Sequence, residues 1–161
     1  MREILFRGKR LLNREWVYGF YISKIDPILD ISGCFIVAQH DKESFVTWYK
    51  VDPDTAGQYT GLTDKNGVKI FKGDIVKAGG LDGDYWFEVR YGICGGTQNV
   101  LHEVGYMGFY LELASKATKE CSSFGLRNDI VYWVKKKEGV EVIGNIHDNP
   151  ELLEGGSDET D

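Results

Sequence analysis

Proline, cysteine and histidine are all scarce in this chain, each occurring three times in 161 residues. Cys34, Cys94 and Cys121 are odd in number, widely spaced and never part of a C-x-x-C pair, so neither a disulfide framework nor a zinc ribbon is indicated. They read as free thiols, buried or partly buried. A metal site needs several ligands converging, whereas His40, His102 and His147 fall on different predicted elements with no spacing such as H-x-x-x-H. Each is expected to be a surface or structural histidine, with His147-Asp148 and His102-Glu103 as the one combination to check in space. Long apolar runs are missing too. The longest uncharged apolar-rich stretch, Ile31 to Gln39, is far short of a bilayer span, and Arg2, Glu3 and Arg7 leave no apolar signal core near Met1. The expected location is a reducing cytoplasm, with no membrane partner.

Catalytic signatures are equally sparse. Ser122-Ser123 lacks a G-x-S-x-G elbow, and the GICGG run of Gly92 to Gly96 is not followed by Lys-Ser/Thr as a phosphate loop requires. Asp64, Asp74, Asp82 and Asp84 surround glycine-rich turns and could gather a hard cation, but turn chemistry already accounts for them. No cofactor is implied, and nothing in the pattern demands an enzyme.

Glycine is abundant, with 20 residues, and 42% of the chain is hydrophobic and 13% aromatic. A globular protein of this length buries about 70% of its unfolded surface, and many glycines with few prolines suit short strands joined by turns. The net charge of −6 is mostly a matter of the tail: residues 151–161 hold five acids and no base, leaving 19 bases against 20 acids elsewhere. The pI near 5.1 therefore does not argue against local patches of either sign.

The central stretch, Tyr59 to Val76, sets two turns around a short apolar strand. Asp64-Lys65-Asn66-Gly67 predicts a hairpin turn, because Asn-Gly reaches positive φ without the usual Cβ clash. Lys72-Gly73-Asp74 predicts a second bend, with the Asp74 carboxylate accepting backbone N–H groups freed by it. Asn66, Gly67, Gly73 and Asp74 are thus structural turn residues. Elsewhere Ile4 and Phe6, then Trp16-Tyr18-Phe20-Ile22, predict a hairpin with one buried face. Further strands are expected at Cys34 to Ala38, Phe45 to Val51, Tyr85 to Tyr91, Phe109 to Leu113, Ile130 to Val134 and Val140 to Ile146. The expected seam is Val51 to Gln58, between an N-terminal β lobe (1–57) and a barrel-like lobe (58–153). Closure removes exposed strand edges, so a small SH3-like barrel is expected there. Asn149-Pro150 predicts one C-terminal helical turn, and 154–161 a disordered acidic tail.

The run Gly57 to Leu62 through Asp64-Lys65-Asn66-Gly67 to Gly73-Asp74-Ile75-Val76, closed by Val142 to Leu153 (VIGNIHDNPELL), resembles the YopX family of phage and prophage proteins. The opening Met1-Arg2-Glu3-Ile4 with Phe6-Arg7 fits the same pattern, so the likeness spans the chain to about Leu153, apart from unmatched stretches around 94–107 and 114–128. The resemblance implies a small β-rich phage or prophage protein acting in the bacterial cytoplasm. It carries no activity and no catalytic residues.

Binding surfaces remain. Trp48, Trp86 and Trp133 each fall on the strand face opposite a larger apolar set, which makes them candidates for an exposed or subunit-contact surface, the alternative being a sheet covered on both faces. Lys135, Lys136 and Lys137 follow Trp133, an aromatic and basic pairing that suits single-stranded nucleic acid but equally a solvated turn. Arg2, Arg7, Lys9, Arg10 and Arg14 make the N-terminus locally basic, either as a charged edge or as a phosphate-contacting arm. The expected function is a non-catalytic accessory module of a phage or prophage that self-associates or binds a phage or host protein. Nucleic-acid binding is the runner-up, and a metal-dependent hydrolase comes last.

Overall fold

The computed structural model describes residues 3–26, 31–39, 46–80, 83–94, 106–114 and 129–153. Expectations for Arg2, His40, Phe45, Asp82, His102, Glu103, Cys121, Ser122, Ser123 and the 154–161 tail lie outside the described residues. The chain forms two compact units, Met1–Gly61 and Leu62–Asp161.

The first unit is an antiparallel sheet in the order β4-β3-β2-β1-β5, with β1 Phe6–Lys9, β2 Trp16–Asp26, β3 Ile31–Gln39, β4 Val46–Val51 and β5 Gly57–Thr63. Its register sets Phe6 opposite Gly19, Tyr21 opposite Ile36 and Cys34 opposite Val51. Residues of that parity make one face, on which Ile36 and Val51 are fully buried and the rings of Phe6 and Tyr21 lie 5.6 Å apart. The predicted hairpin therefore exists, but its buried face is the opposite one. Tyr18 and Phe20 of the alternating aromatic set are exposed.

β5 runs through the division between the units, and its far end turns at Asp64 to Gly67 into β6 (Lys69–Phe71). The second unit's own sheet has the order β10-β7-β8-β9, from β7 Asp74–Gly80, β8 Gly83–Cys94, β9 Tyr106–Leu113 and β10 Val140–Asn145. Alternation along β8 places Tyr85, Phe87 and Val89 in a core with Ile70, Val76, Ala78, Leu111 and Val140. Among the described residues neither sheet closes into a barrel, which corrects the expected SH3-like lobe. A helix covers the face that closure would have folded inward.

That helix, α1 Ile130–Lys135, replaces a predicted strand. The run Ile-Val-Tyr-Trp-Val is apolar throughout, so a period of two and a period of 3.6 fit it equally. Asp129 decides between them: its carboxylate accepts from the N–H of Val131 and Tyr132, capping a helix start. Ile130 and Trp133 then share the buried side.

Both predicted bends are present, with φ of 82° at Gly67 and 84° at Gly73. Asp74, only 1% exposed, accepts from the Phe71 N–H at 2.7 Å across its turn. The C-terminal turn is a 3-10 turn at Pro150–Leu152, and Asn149 makes no side-chain cap bond to it. Asn145 works in its place one turn earlier, accepting from the N–H groups of His147 and Asp148.

The hairpin at Asp64 is tied to a strand far along the chain. Oδ1 of this buried carboxylate accepts from Asn66 N (2.8 Å) and Val68 N (2.9 Å), while Oδ2 accepts from Val142 N (3.0 Å) on β10. Removing a buried charged acceptor strands each donor it served, at about 1–3 kcal/mol apiece before water relieves part of the loss. Asp64→Ala is expected to lower unfolding free energy by about 3 kcal/mol in urea titration. Asp64→Asn keeps the two turn bonds and loses the Val142 bond, so its loss should be intermediate. An Asp64→Ala protein within experimental error of wild type would refute the anchor.

Candidate functional site

Opposite the buried face of the first unit lies a sheet face made by the other parity. Arg7 pairs with Tyr18 and Lys9 with Trp16, Phe20 with Val37 and Ile22 with Phe35, and Val37 with Trp48 and Gln39 with Val46. Side chains alternate across a strand, so these residues crowd one side. Tyr18, Phe20 (58% exposed), Val46 and Trp48 (46%) are exposed on it. Trp48 meets Phe35 edge-on at 5.9 Å. No carboxylate occupies any of these positions.

The cations of this face point away from a phosphate-binding role. Arg7 and Lys9 are buried and lie over the Trp16 ring, at 4.6 Å and 5.4 Å from its centroid. Arg10 sits over Tyr49 on the other face and reaches Glu15, and Arg14 pairs with Asp52 at 2.8 Å. The basic N-terminus of the sequence is thus largely neutralised or stacked within its own unit. Lys50 is an exposed cation of the face, and Lys24 shares its parity by register.

The three candidate tryptophans do not come together. Trp48 lies on the exposed face just described. Trp86 is half-buried on β8, paired with Lys77 and so on the side away from the core residues Tyr85 and Phe87. Trp133 is core: it is 3% exposed, with ring centroids 5.9 Å from Tyr85 and 5.3 Å from Phe87. Its expected surface role is corrected, because on a helix it shares a side with Ile130 instead of opposing it. Lys136 folds back over Trp133 and Tyr132, at 4.3 Å and 5.4 Å, leaving Lys135 and Lys137 exposed on either side. Asn66, Gly67, Gly73 and Asp74 serve their turns. Asp84 pairs with Lys77 at 2.6 Å, and among the described residues no three His, Cys, Asp or Glu side chains are grouped as a metal site would need.

Tyr18 and Phe20 are the residues that sequence reasoning assigned to the wrong side. Alternation identifies two faces but not which one is covered. The signal that could have separated them is Gly8 and Gly19, both on the covered face by register; a Cβ built at Gly8 would sit 3.2 Å from Val51, a packing density typical of an interior.

The topology and this surface define a class: an antiparallel β protein of two units, one of which presents a sheet face with exposed aromatic side chains. The family model described as YopX protein matches residues 5–154. The chain belongs to the YopX family. Among solved structures it is similar to the crystal structure of protein EF1440 from Enterococcus faecalis, with 22% identity over 96% of this chain and 100% of that one and a TM-score of 0.47. No curated protein matches it. Among the described residues no helix is long and apolar enough to cross a membrane.

Beneath the aromatic face, the Tyr21 hydroxyl donates to Cys34 Sγ at 2.9 Å. That bond, with partial burial and the charge of the sulfur when ionised, pushes the Tyr21 phenol from 10.0 up to about 12. A folded-state pKa above the unfolded one means the native state holds its proton longer, so the contribution to stability is complete below pH 10 and is lost as pH rises towards 12. The difference in phenolate absorbance between wild type and Tyr21→Phe should titrate near 12, and in a Cys34→Ala background at a lower pH, back towards the ordinary tyrosine range. An unchanged midpoint in that background would show that the sulfur is not the cause.

Proposed function

We propose that this chain is a non-catalytic binding module of phage or prophage origin, working in the bacterial cytoplasm, whose aromatic sheet face receives a protein partner. One observation carries the reading: Tyr18 and Phe20 on β2 and Val46 and Trp48 on β4 stand exposed on one sheet face, on either side of β3. Each large aromatic side chain commits about 150–250 Å² to a contact when covered. With roughly half of that area open, the four residues offer about 300–400 Å² of apolar surface, within the range of the largest patch on a typical monomer, which is often functional.

The chemistry favours protein over nucleic acid. Aromatic residues with few charges characterise the centre of protein interfaces, while single-stranded nucleic acid needs a cationic track beside its stacking rings. Among the side chains described on this face Lys50 is the one exposed cation, a weak track, since Arg7 and Lys9 lie over the Trp16 ring.

A photo-crosslinking amino acid at Phe20, compared with one at Ser23 on the opposite parity, tests the reading in cells of the protein's own host. Position 20 should yield protease-sensitive adducts at several times the level of position 23, and Trp48→Glu should abolish them while leaving thermal stability within a few degrees. Nuclease-sensitive adducts would replace the reading with the nucleic-acid one. Equal yields at the two positions would reject the face altogether.

A further inference from the structure

β8 and β9 continue past the rest of their sheet. β7 pairs with β8 from Gly80 opposite Gly83 to Ile75 opposite Glu88, and the Gly73 N–H donates to Val89 O at the end of that edge. The β8–β9 ladder runs on to Cys94 opposite Tyr106. Residues 90–94 and 106–110 therefore make a two-stranded ribbon, and among the described residues no strand lies along either side of it. Such a ribbon is marginal in water without further pairing or cover.

Its apolar face continues the core face. Tyr91, Ile93, Met107 and Phe109 follow Phe87, Val89 and Leu111 in register, yet Ile93 is 73% and Met107 63% exposed. Backbone direction follows from the neighbouring bonds. Trp86 O accepts from Ala114 N on the β9 side, and Val89 O accepts from Gly73 N on the β7 side. Even-numbered residues of β8 thus turn their N–H and C=O groups towards β9, and the odd-numbered Tyr91 and Ile93 turn theirs to the edge that β7 leaves open.

We infer that this edge binds the same edge of a second copy of the chain. Two β8 strands pair antiparallel about a two-fold axis at Gly92, with Tyr91 of each copy opposite Ile93 of the other. Both residues then exchange backbone bonds in closely spaced pairs, and the two ribbons merge into one four-stranded sheet, β9-β8-β8-β9, with a continuous apolar face. A second copy is the fitting occupant because donors and acceptors placed symmetrically about Gly92 are their own complement under a two-fold. Tyr91 and Ile93 carry no charge that would repel its image, and the charge of Arg90 is met by Glu88 and Glu112. At about 200 Å² per large side chain, the ribbon covers roughly 300 Å² per copy, well under the ~800 Å² of a standard interface. The dimer is accordingly reversible and concentration-dependent. The inference is independent of the aromatic face of the first unit.

Opposed residues at the axis form a pair with Cα atoms about 4.5 Å apart, within disulfide range. A Cβ at Gly92 meets only Tyr110 Cε1, at 3.9 Å, so Gly92→Cys fits the fold. With Cys34, Cys94 and Cys121 replaced by serine, Gly92→Cys is expected to form a disulfide-linked dimer on mild oxidation, at least five times faster than Val131→Cys, an exposed control on α1. Sedimentation equilibrium should show the wild-type chain passing from monomer to dimer with concentration, and Tyr91→Lys/Ile93→Lys remaining a monomer. Equal crosslinking at positions 92 and 131, a strictly monomeric wild type at millimolar concentration, or a lysine variant that dimerises as before would each overturn the pairing. Should the lysine variant fail to fold, the ratio of crosslinking rates decides alone.

Discussion

The second unit hangs on one buried carboxylate. Asp64 satisfies two N–H groups of its own turn and a third on β10, 78 residues further along the chain. A turn fixed only by its own bonds would set the angle between β5 and β6 and nothing else. Because the same side chain reaches Val142, the hairpin and the last strand are positioned by a single group. The Lys65 N–H to Val140 O bond at 2.9 Å and the Lys65–Glu141 ion pair add to the seam, though the ion pair is exposed and worth little. The short β6 then brings Ile70 into the core beside Val76, Phe87 and Trp133.

Periodicity made the strands legible because a half-buried strand must alternate: β8, β9 and β10 appear where Tyr85 to Tyr91, Phe109 to Leu113 and Val140 to Ile146 pointed. Turns were legible for a related reason, since Asn-Gly and Gly-Asp solve a backbone problem that few other pairs solve. Two things were not. A five-residue apolar run has no period to read, so α1 depended on recognising Asp129 as a cap. Nor does alternation say which face is covered, and in the first unit the larger aromatic set is the exposed one. Tyr18 and Phe20, which would gain much from burial, are thus exposed, the reverse of what the larger aromatic set alone suggests.

Charge was the least legible property, because a sequence counts cations without showing what they touch. Arg7 and Lys9 look available in a basic N-terminus, yet their hydrocarbon stems and charged heads lie against Trp16 inside the unit. Lys136 does the same on Trp133. A cation over a ring gains about 0.5–2 kcal/mol. Drawing it out to a phosphate would forfeit that contact and expose the ring.

Strand edges show a similar asymmetry. The outer edge of β4 is closed at one end by the loop after β1: Leu11 N donates to Lys50 O, and Arg10 bridges to Val51. Charged residues and bulky connections at an edge are common defences against unwanted pairing. The ribbon beyond Val89 has none of them at its edge-facing positions, where Tyr91, Ile93, Met107 and Phe109 include neither lysine nor proline. A chain that guards one edge and leaves another apolar and straight distinguishes between them. Among the described residues the guarded edge belongs to the first unit and the unguarded ribbon to the second, so the two units differ in the backbone groups they leave open to pairing.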